Sequence, residues 1–117
     1  MTSSSRAAPA PARRYALKFV PAALAEWGAL DGSVKANLKK LLAKRLDNPH
    51  VPGAALRGEL RGCYKIKLRR QGYRLVYQVD DDANAVLVLG VGKREDDDVY
   101  QAALEVFRDL GARREKK

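Results

Sequence analysis

Cys63-Tyr64-Lys65-Ile66-Lys67-Leu68, then Arg69-Arg70-Gln71-Gly72, then Tyr73-Arg74-Leu75-Val76-Tyr77-Gln78-Val79: this stretch decides the fold. Side chains of a strand point alternately to its two faces, so Tyr64, Ile66 and Leu68 share one face and Lys65 and Lys67 the other. A four-residue hairpin loop at 69–72 pairs Leu68 with Tyr73, Lys67 with Arg74 and Lys65 with Val76. Three cations then crowd one patch of sheet. Like charges set opposite one another destabilise a sheet, so the pattern points to an anion, a phosphate above all, as the normal occupant. The plainer alternative is a solvated face that carries Lys and Arg for solubility.

The next run, Ala85 to Arg94, argues for the anion, because Gly90 and Gly92 fall on the same parity as Arg94. Glycine inside a strand marks close approach of a ligand or another backbone. A five-residue loop from Asp80 to Asn84 pairs Arg74 with Gly90 and brings Arg94 to the face of Lys67 and Arg74, giving four cations around a floor kept open by glycine.

Upstream, Tyr15 to Val20 alternates as a short strand, and Pro21 suits the first turn of a helix in which Leu24 and Trp27 are spaced for one face. Trp27 reads as a core anchor rather than a base-stacking platform. From Ser33, read as an N-cap, Val34, Leu38, Leu41, Leu42 and Leu46 form a helical apolar stripe that Asn48-Pro49 ends. Lys39, Lys40 and Lys44 on its other face, with Arg69 and Arg70 of the hairpin loop, are secondary RNA-contacting candidates; a solvated basic face is the plainer reading. His50 stands alone in the loop 48–61 and reads as structural. After the three-stranded meander (62–68, 73–79, 85–94), acidic residues 95–98 suit a helix start, and Val99, Ala103, Val106, Phe107 and Leu110 continue as a core stripe to Gly111, with Tyr100 just off it. The fold expected is α/β, more exactly α+β, in the order β-α-α-β-β-β-α. A small curved, mainly antiparallel sheet of about four strands carries helices on one face.

The chain has 117 residues, room for one domain, with a formal net charge of +9 that favours an anionic partner. Residues 1–13, rich in Ser, Ala and Pro, are expected to form a disordered arm, residues 14–111 the domain, and residues 112–117 a basic tail. The single cysteine, Cys63, makes no internal disulfide and reads as a small strand residue, and one His with one Cys excludes the usual zinc spacings. No metal or cofactor is expected. No apolar run approaches the ~20 residues of a membrane span, and a cytoplasmic home is expected.

Leu56-Arg57-Gly58, the run Cys63 to Arg69, Gly72 to Val79, and Val91-Gly92-Lys93-Arg94-Glu95 with Val99-Tyr100 together resemble the RelE family of bacterial toxins, over roughly Tyr15 to Leu110. The resemblance implies an endoribonuclease that cuts mRNA in the ribosomal A site, against the 16S rRNA of the 30S subunit, and is neutralised by a RelB-type antitoxin. It also implies a catalytic set of Lys65, Lys67, Arg74, Arg94 and Tyr100. Metal-free RNA cleavage needs a base for the attacking 2′-OH, cations for the pentavalent phosphate and a proton for the leaving 5′-oxygen. With no carboxylate or His inside the motif, the base is a Lys. Lys67 is the choice, since positive neighbours and partial burial lower a Lys pKa. Lys65, Arg74 and Arg94 would hold the phosphate, and Tyr100 would orient the 2′-OH or stack on a base. Two other readings share the scaffold: a ParE-type inhibitor of DNA gyrase, and an RNA-binding module without activity.

Overall fold

The computed structural model describes the backbone of residues 14–93 and 98–115 and the side chains of residues 14–93 and 99–111. The elements are β1 (Ala16–Phe19), α1 (Pro21–Gly28), α2 (Gly32–Asp47), β2 (Cys63–Leu68), β3 (Tyr73–Asp80), β4 (Ala85–Lys93) and α3 (Asp98–Glu115), with short 3₁₀ turns at Pro52–Ala54 and Gly58–Leu60. This is the expected β-α-α-β-β-β-α order. The sheet runs β1-β4-β3-β2, with β1 parallel to β4 and the other two pairings antiparallel.

The hairpin has the register its alternation requires: Leu68 faces Tyr73, Lys67 faces Arg74 and Lys65 faces Val76. Gly72 makes the loop possible, since its φ of +73° is one that side chains resist, and its N–H donates to the Leu68 carbonyl at 2.8 Å. The loop is tied down as well. Asn37 of α2 donates to Gln71 Oε1 at 2.8 Å, and Gln71 Nε2 donates to Ser33 Oγ at 3.0 Å.

The β3–β4 register differs from expectation. Asp80 pairs with Ala85, so the loop is Asp81 to Asn84, and a bulge between Val76 and Tyr77 shifts the ladder again, setting Arg74 opposite Gly92 and Val76 opposite Gly90. The shorter loop alone would set Val91 opposite Arg74 and turn both glycines away from the cations. The bulge adds the extra residue that turns them back.

The core is sandwiched between helices on two faces, and here the expected single helical face is corrected. α2 buries Val34, Leu38 and Leu42 on the side of Ile66 and Tyr77, while α3 sets Val99 and Ala103 over Gly90 and Gly92 on the other. A Cβ on Gly92 would lie 2.8 Å from Val99 Cγ2. The strand glycines thus admit a helix, and no open floor lies above them. Two boundaries also move. Asp31, whose carboxylate accepts from the Ser33 N–H at 3.1 Å, caps α2 in place of Ser33, and α3 runs through Gly111 to Glu115. In α1, Ala23 and Trp27 are buried, and Leu24, expected in the core, is 55% exposed. Because β1 has only four residues, the upper part of β4 lacks a strand on that side, and the Glu26 carboxylate accepts the Val91 N–H there at 3.0 Å.

Candidate functional site

Register alone brings Lys65, Lys67 and Arg74 onto one face of the β2–β3 hairpin. Lys67 is exposed and Lys65 and Arg74 are partly buried. Tyr100, in the first turn of α3, lies beneath the Arg74 guanidinium, whose carbon is 5.4 Å from the ring centroid. That distance suits a cation–π contact. Among the described residues the cationic neighbour of Tyr100 is Arg74, and Arg94 lies outside them. Arg74 Nε is buried and has no hydrogen-bond partner among the described residues.

Lys65 and Lys67 also line a cleft of about 360 Å³ along the β2 edge of the sheet, with Arg45, Arg69, Val51, Gly53 and Ala54. Arg74 and Tyr100 are outside this lining, so the cations form two connected parts: a cleft at the sheet edge and a guanidinium tucked under α3. The secondary RNA-contacting candidates separate in a similar way. Arg69 joins the cleft; Lys40, Lys44 and Arg70 border a different hollow of about 600 Å³ with Asn37, Leu41 and Leu68; and Lys39, though exposed, lines neither.

Arg45 is the residue that sequence reasoning missed. Its Nη1 donates to the Lys65 carbonyl at 3.1 Å and to the Tyr77 hydroxyl at 2.9 Å, and the Tyr77 hydroxyl donates to the Pro49 carbonyl at 2.8 Å. Burial pushes the Tyr77 phenol up, against the pull of Arg45. The signal was present: Arg45 lies seven residues after Leu38, on the apolar stripe of α2, where a cation needs a reason.

The remaining titratable candidates settle as structural. Cys63 is fully buried, and burial pushes its thiol up to about 12, so it is no nucleophile at neutral pH. His50 is bonded at both nitrogens, Nδ1 to the Tyr64 hydroxyl and Nε2 to Asp81 Oδ1, each at 3.0 Å. Tyr64 points to the face of β2 opposite Lys65. Hydrogen bonds from Tyr15, at 2.6 Å, and from His50 hold the Asp81 carboxyl below the usual range. Among the described residues no His, Cys, Asp and Glu group could hold a metal ion, and no helix is long and apolar enough to cross a membrane.

Residues 17–98 match the family model described as the ParE toxin of the type II toxin-antitoxin system, parDE. The chain is 48% identical over 91 residues to the mRNA interferase toxin RelE of Escherichia coli strain K12, an alignment that takes in 78% of this chain and 95% of that protein. The crystal structure of the isolated E. coli RelE toxin superposes with a TM-score of 0.67 at 47% identity, covering 78% of this chain and 96% of that one. In the intact E. coli RelBE toxin-antitoxin complex, a chain covering 68% of this one and 95% of its own length gives 0.65 at 49% identity. On its sequence and these matches, the chain belongs to the RelE family of toxins, within the RelE/ParE superfamily of type II toxin-antitoxin systems.

Proposed function

We propose that this protein is the endoribonuclease toxin of a type II toxin-antitoxin pair, cutting mRNA in the ribosomal A site by metal-independent attack of a 2′-OH. The observation that carries the reading is the register that sets Lys65, Lys67 and Arg74 on one face, with Tyr100 under Arg74. The identity to a protein named mRNA interferase supports it.

In this mechanism Lys67, as the neutral amine, takes the proton of the 2′-OH at the cut site as its oxygen attacks phosphorus. Lys65 and Arg74 hold the non-bridging oxygens as charge builds on them, a form of electrostatic stabilisation that is often the largest catalytic term. The buried Nε of Arg74, without a hydrogen-bond partner among the described residues, offers one such donor. Arg94 acts on the same phosphate near the leaving 5′-oxygen, where a guanidinium serves as a charge rather than a proton donor, and as the P–O5′ bond breaks the departing oxygen takes its proton from water. Tyr100 orients the nucleotide or stacks on its base. Lysines and arginines are weak acid–base catalysts, so the ribosome has to impose in-line geometry, a positioning term of several kcal/mol. The partner that restrains such a basic protein is a RelB-type antitoxin, and its site of action is the cytoplasm.

The test uses programmed ribosomes and an mRNA carrying one 2′-deoxynucleotide 5′ to the scissile phosphate. The expected result is binding close to that of the unmodified message with no cut at that linkage, whereas the all-ribo message gives a 2′,3′-cyclic phosphate and a 5′-hydroxyl, with Lys67→Ala slower by orders of magnitude. Equal cutting of the deoxy message would reject the mechanism. The family model's description raises the ParE-type reading; gyrase-linked DNA breaks from purified components, without mRNA cleavage, would select it.

A further inference from the structure

Arg45 takes no part in the chemistry assigned above, yet it lines the same cleft as Lys65, Lys67 and Arg69. We propose that Arg45 anchors a second phosphate subsite, one that grips the RNA backbone beside the linkage that is cut; this rests on the endoribonuclease reading.

The guanidinium is held ready for such a contact. Its Nη1 is committed to the Lys65 carbonyl and to Tyr77, a fully buried residue whose hydroxyl is itself fixed on Pro49. The guanidinium carbon lies 5.8 Å from the Tyr77 ring centroid. Arginine carries five N–H donors in a planar fork, and Nε and Nη2 make no hydrogen bond to any described residue. Those donors match phosphate oxygens, and a fork fixed in advance loses little entropy on binding one.

The surroundings select an anion. The ion pairs among the described residues join Arg14 to Asp47, His50 to Asp81 and Arg108 to Glu59, so neither Arg45, Lys65 nor Arg69 is neutralised by a described carboxylate. Such convergence is unfavourable in the free protein and becomes favourable once a polyanion enters. The cleft floor is small as well: a Cβ on Gly53 would meet nothing within 4 Å, which leaves room for a sugar–phosphate chain. Finally, Arg45 holds the backbone of Lys65, a residue whose side chain belongs to the catalytic face. One strand residue therefore joins the two phosphate positions.

The experiment measures how salt weakens binding of a short single-stranded RNA, 2′-O-methylated throughout so that it cannot be cut, to Arg45→Gln and wild type. For single strands each phosphate contact contributes about 0.7 to the slope of log K against log salt. Arg45→Gln, which keeps a donor for Tyr77, should lower the slope by about 0.7 and weaken binding severalfold at low salt, and Arg45→Lys should retain most of the slope. In ribosomal cleavage Arg45→Gln should raise KM and leave kcat near wild type. Arg69→Gln, on an exposed loop position of the same cleft, provides the same reading should Arg45→Gln unfold. Lys18→Gln, on the strand at the far edge of the sheet, should leave the slope unchanged. An unaltered slope in both cleft variants, an equal loss with Lys18→Gln, or poly-glutamate bound as tightly as RNA with the same dependence on Arg45 would overturn the subsite. Because the methylated RNA is never cut, a wild-type protein without nuclease activity would sink the endoribonuclease reading and leave the binding comparison intact.

Discussion

Replacing Gly92 with alanine places a methyl carbon 2.8 Å from Val99 Cγ2. An ordinary carbon–carbon contact begins at about 3.5 Å, so the first turn of α3 has to retreat by roughly 0.7 Å. Val99 cannot rotate out of the way, because it is buried and a β-branched side chain in a helix has one strongly preferred rotamer. Overpacking of this kind costs about 1–3 kcal/mol, while the reduced freedom of the unfolded chain returns about 0.4–1. The overpacking term wins, leaving a net loss near 1–2 kcal/mol. Urea unfolding followed by the fluorescence of Trp27, the single tryptophan and a buried one, reads it as a lower midpoint with the slope unchanged. Adding Val99→Ala removes the clashing methyl, and the double variant should be more stable than the sum of the singles by at least about 0.5 kcal/mol. Gly90→Ala is the contrast: its Cβ meets its nearest atoms at 3.6–3.9 Å, ordinary contact, and should shift stability by under about 0.5 kcal/mol. A wild-type midpoint for Gly92→Ala, or strict additivity with Val99→Ala, would show that α3 does not seat on Gly92. The close approach of helix and sheet that sets Tyr100 under Arg74 would then be wrong too.

Tyr77→Phe removes a hydroxyl that accepts from Arg45 and donates to Pro49, and should cost about 1–3 kcal/mol by the same urea measurement; a loss below 0.3 would mean the two bonds add nothing net. Glu26→Ala strips the acceptor from the Val91 N–H and should both destabilise by about 1–3 kcal/mol and speed exchange of that amide, with Glu26→Gln milder; unchanged Val91 exchange in the alanine variant would refute it. The Asp81 carboxyl is depressed first by the Tyr15 hydrogen bond and then by His50, so its contribution is complete above the usual value of 3.8 and fades as pH falls through its lower folded pKa. The stability difference between wild type and Asp81→Asn should therefore be flat near neutrality and shrink below about pH 4, and a gap that widens on acidification would contradict the sign.

The hairpin was legible because two local signals agree on its register: alternation fixes which residues share a face, and a four-residue loop ending in a glycine of positive φ fixes which residues pair. Beyond the hairpin the reading succeeded by compensation. A loop one residue shorter than expected and a bulge at Val76 and Tyr77 each shift β4 by one, so the two errors restore the parity that sets Gly90 and Gly92 on the cation face. Nothing local announces that bulge. The glycines themselves were ambiguous, since a strand glycine admits ligand and backbone alike, and only the tertiary placement of α3 shows that the helix takes the space. The shared face of Lys65, Lys67 and Arg74 followed from strand parity, while the roles proposed for them rest on the family resemblance. Arg45 required knowing that the β2 edge passes beneath the end of α2, a long-range fact that the stripe position only hints at.

The position of β2 at the edge of the sheet ties its stability problem to its chemistry. An edge strand exposes backbone groups that invite pairing with another chain, and proteins commonly blunt such edges with charge, especially Lys. Here Leu56 N–H takes the Cys63 carbonyl at 3.0 Å, Arg45 takes the Lys65 carbonyl, and Lys65 and Lys67 put two cations on the strand itself. The residues that keep the edge from recruiting a strand are therefore those offered to a phosphate. A central strand, hydrogen-bonded on both sides, is open to a chain as long as RNA only near its end, which is where β3 carries Arg74. That accounts for why the cationic alternation sits in β2 and at the near end of β3, while β4, whose neighbours are β1 and β3 and whose glycine face lies under α3, is built almost wholly of apolar residues.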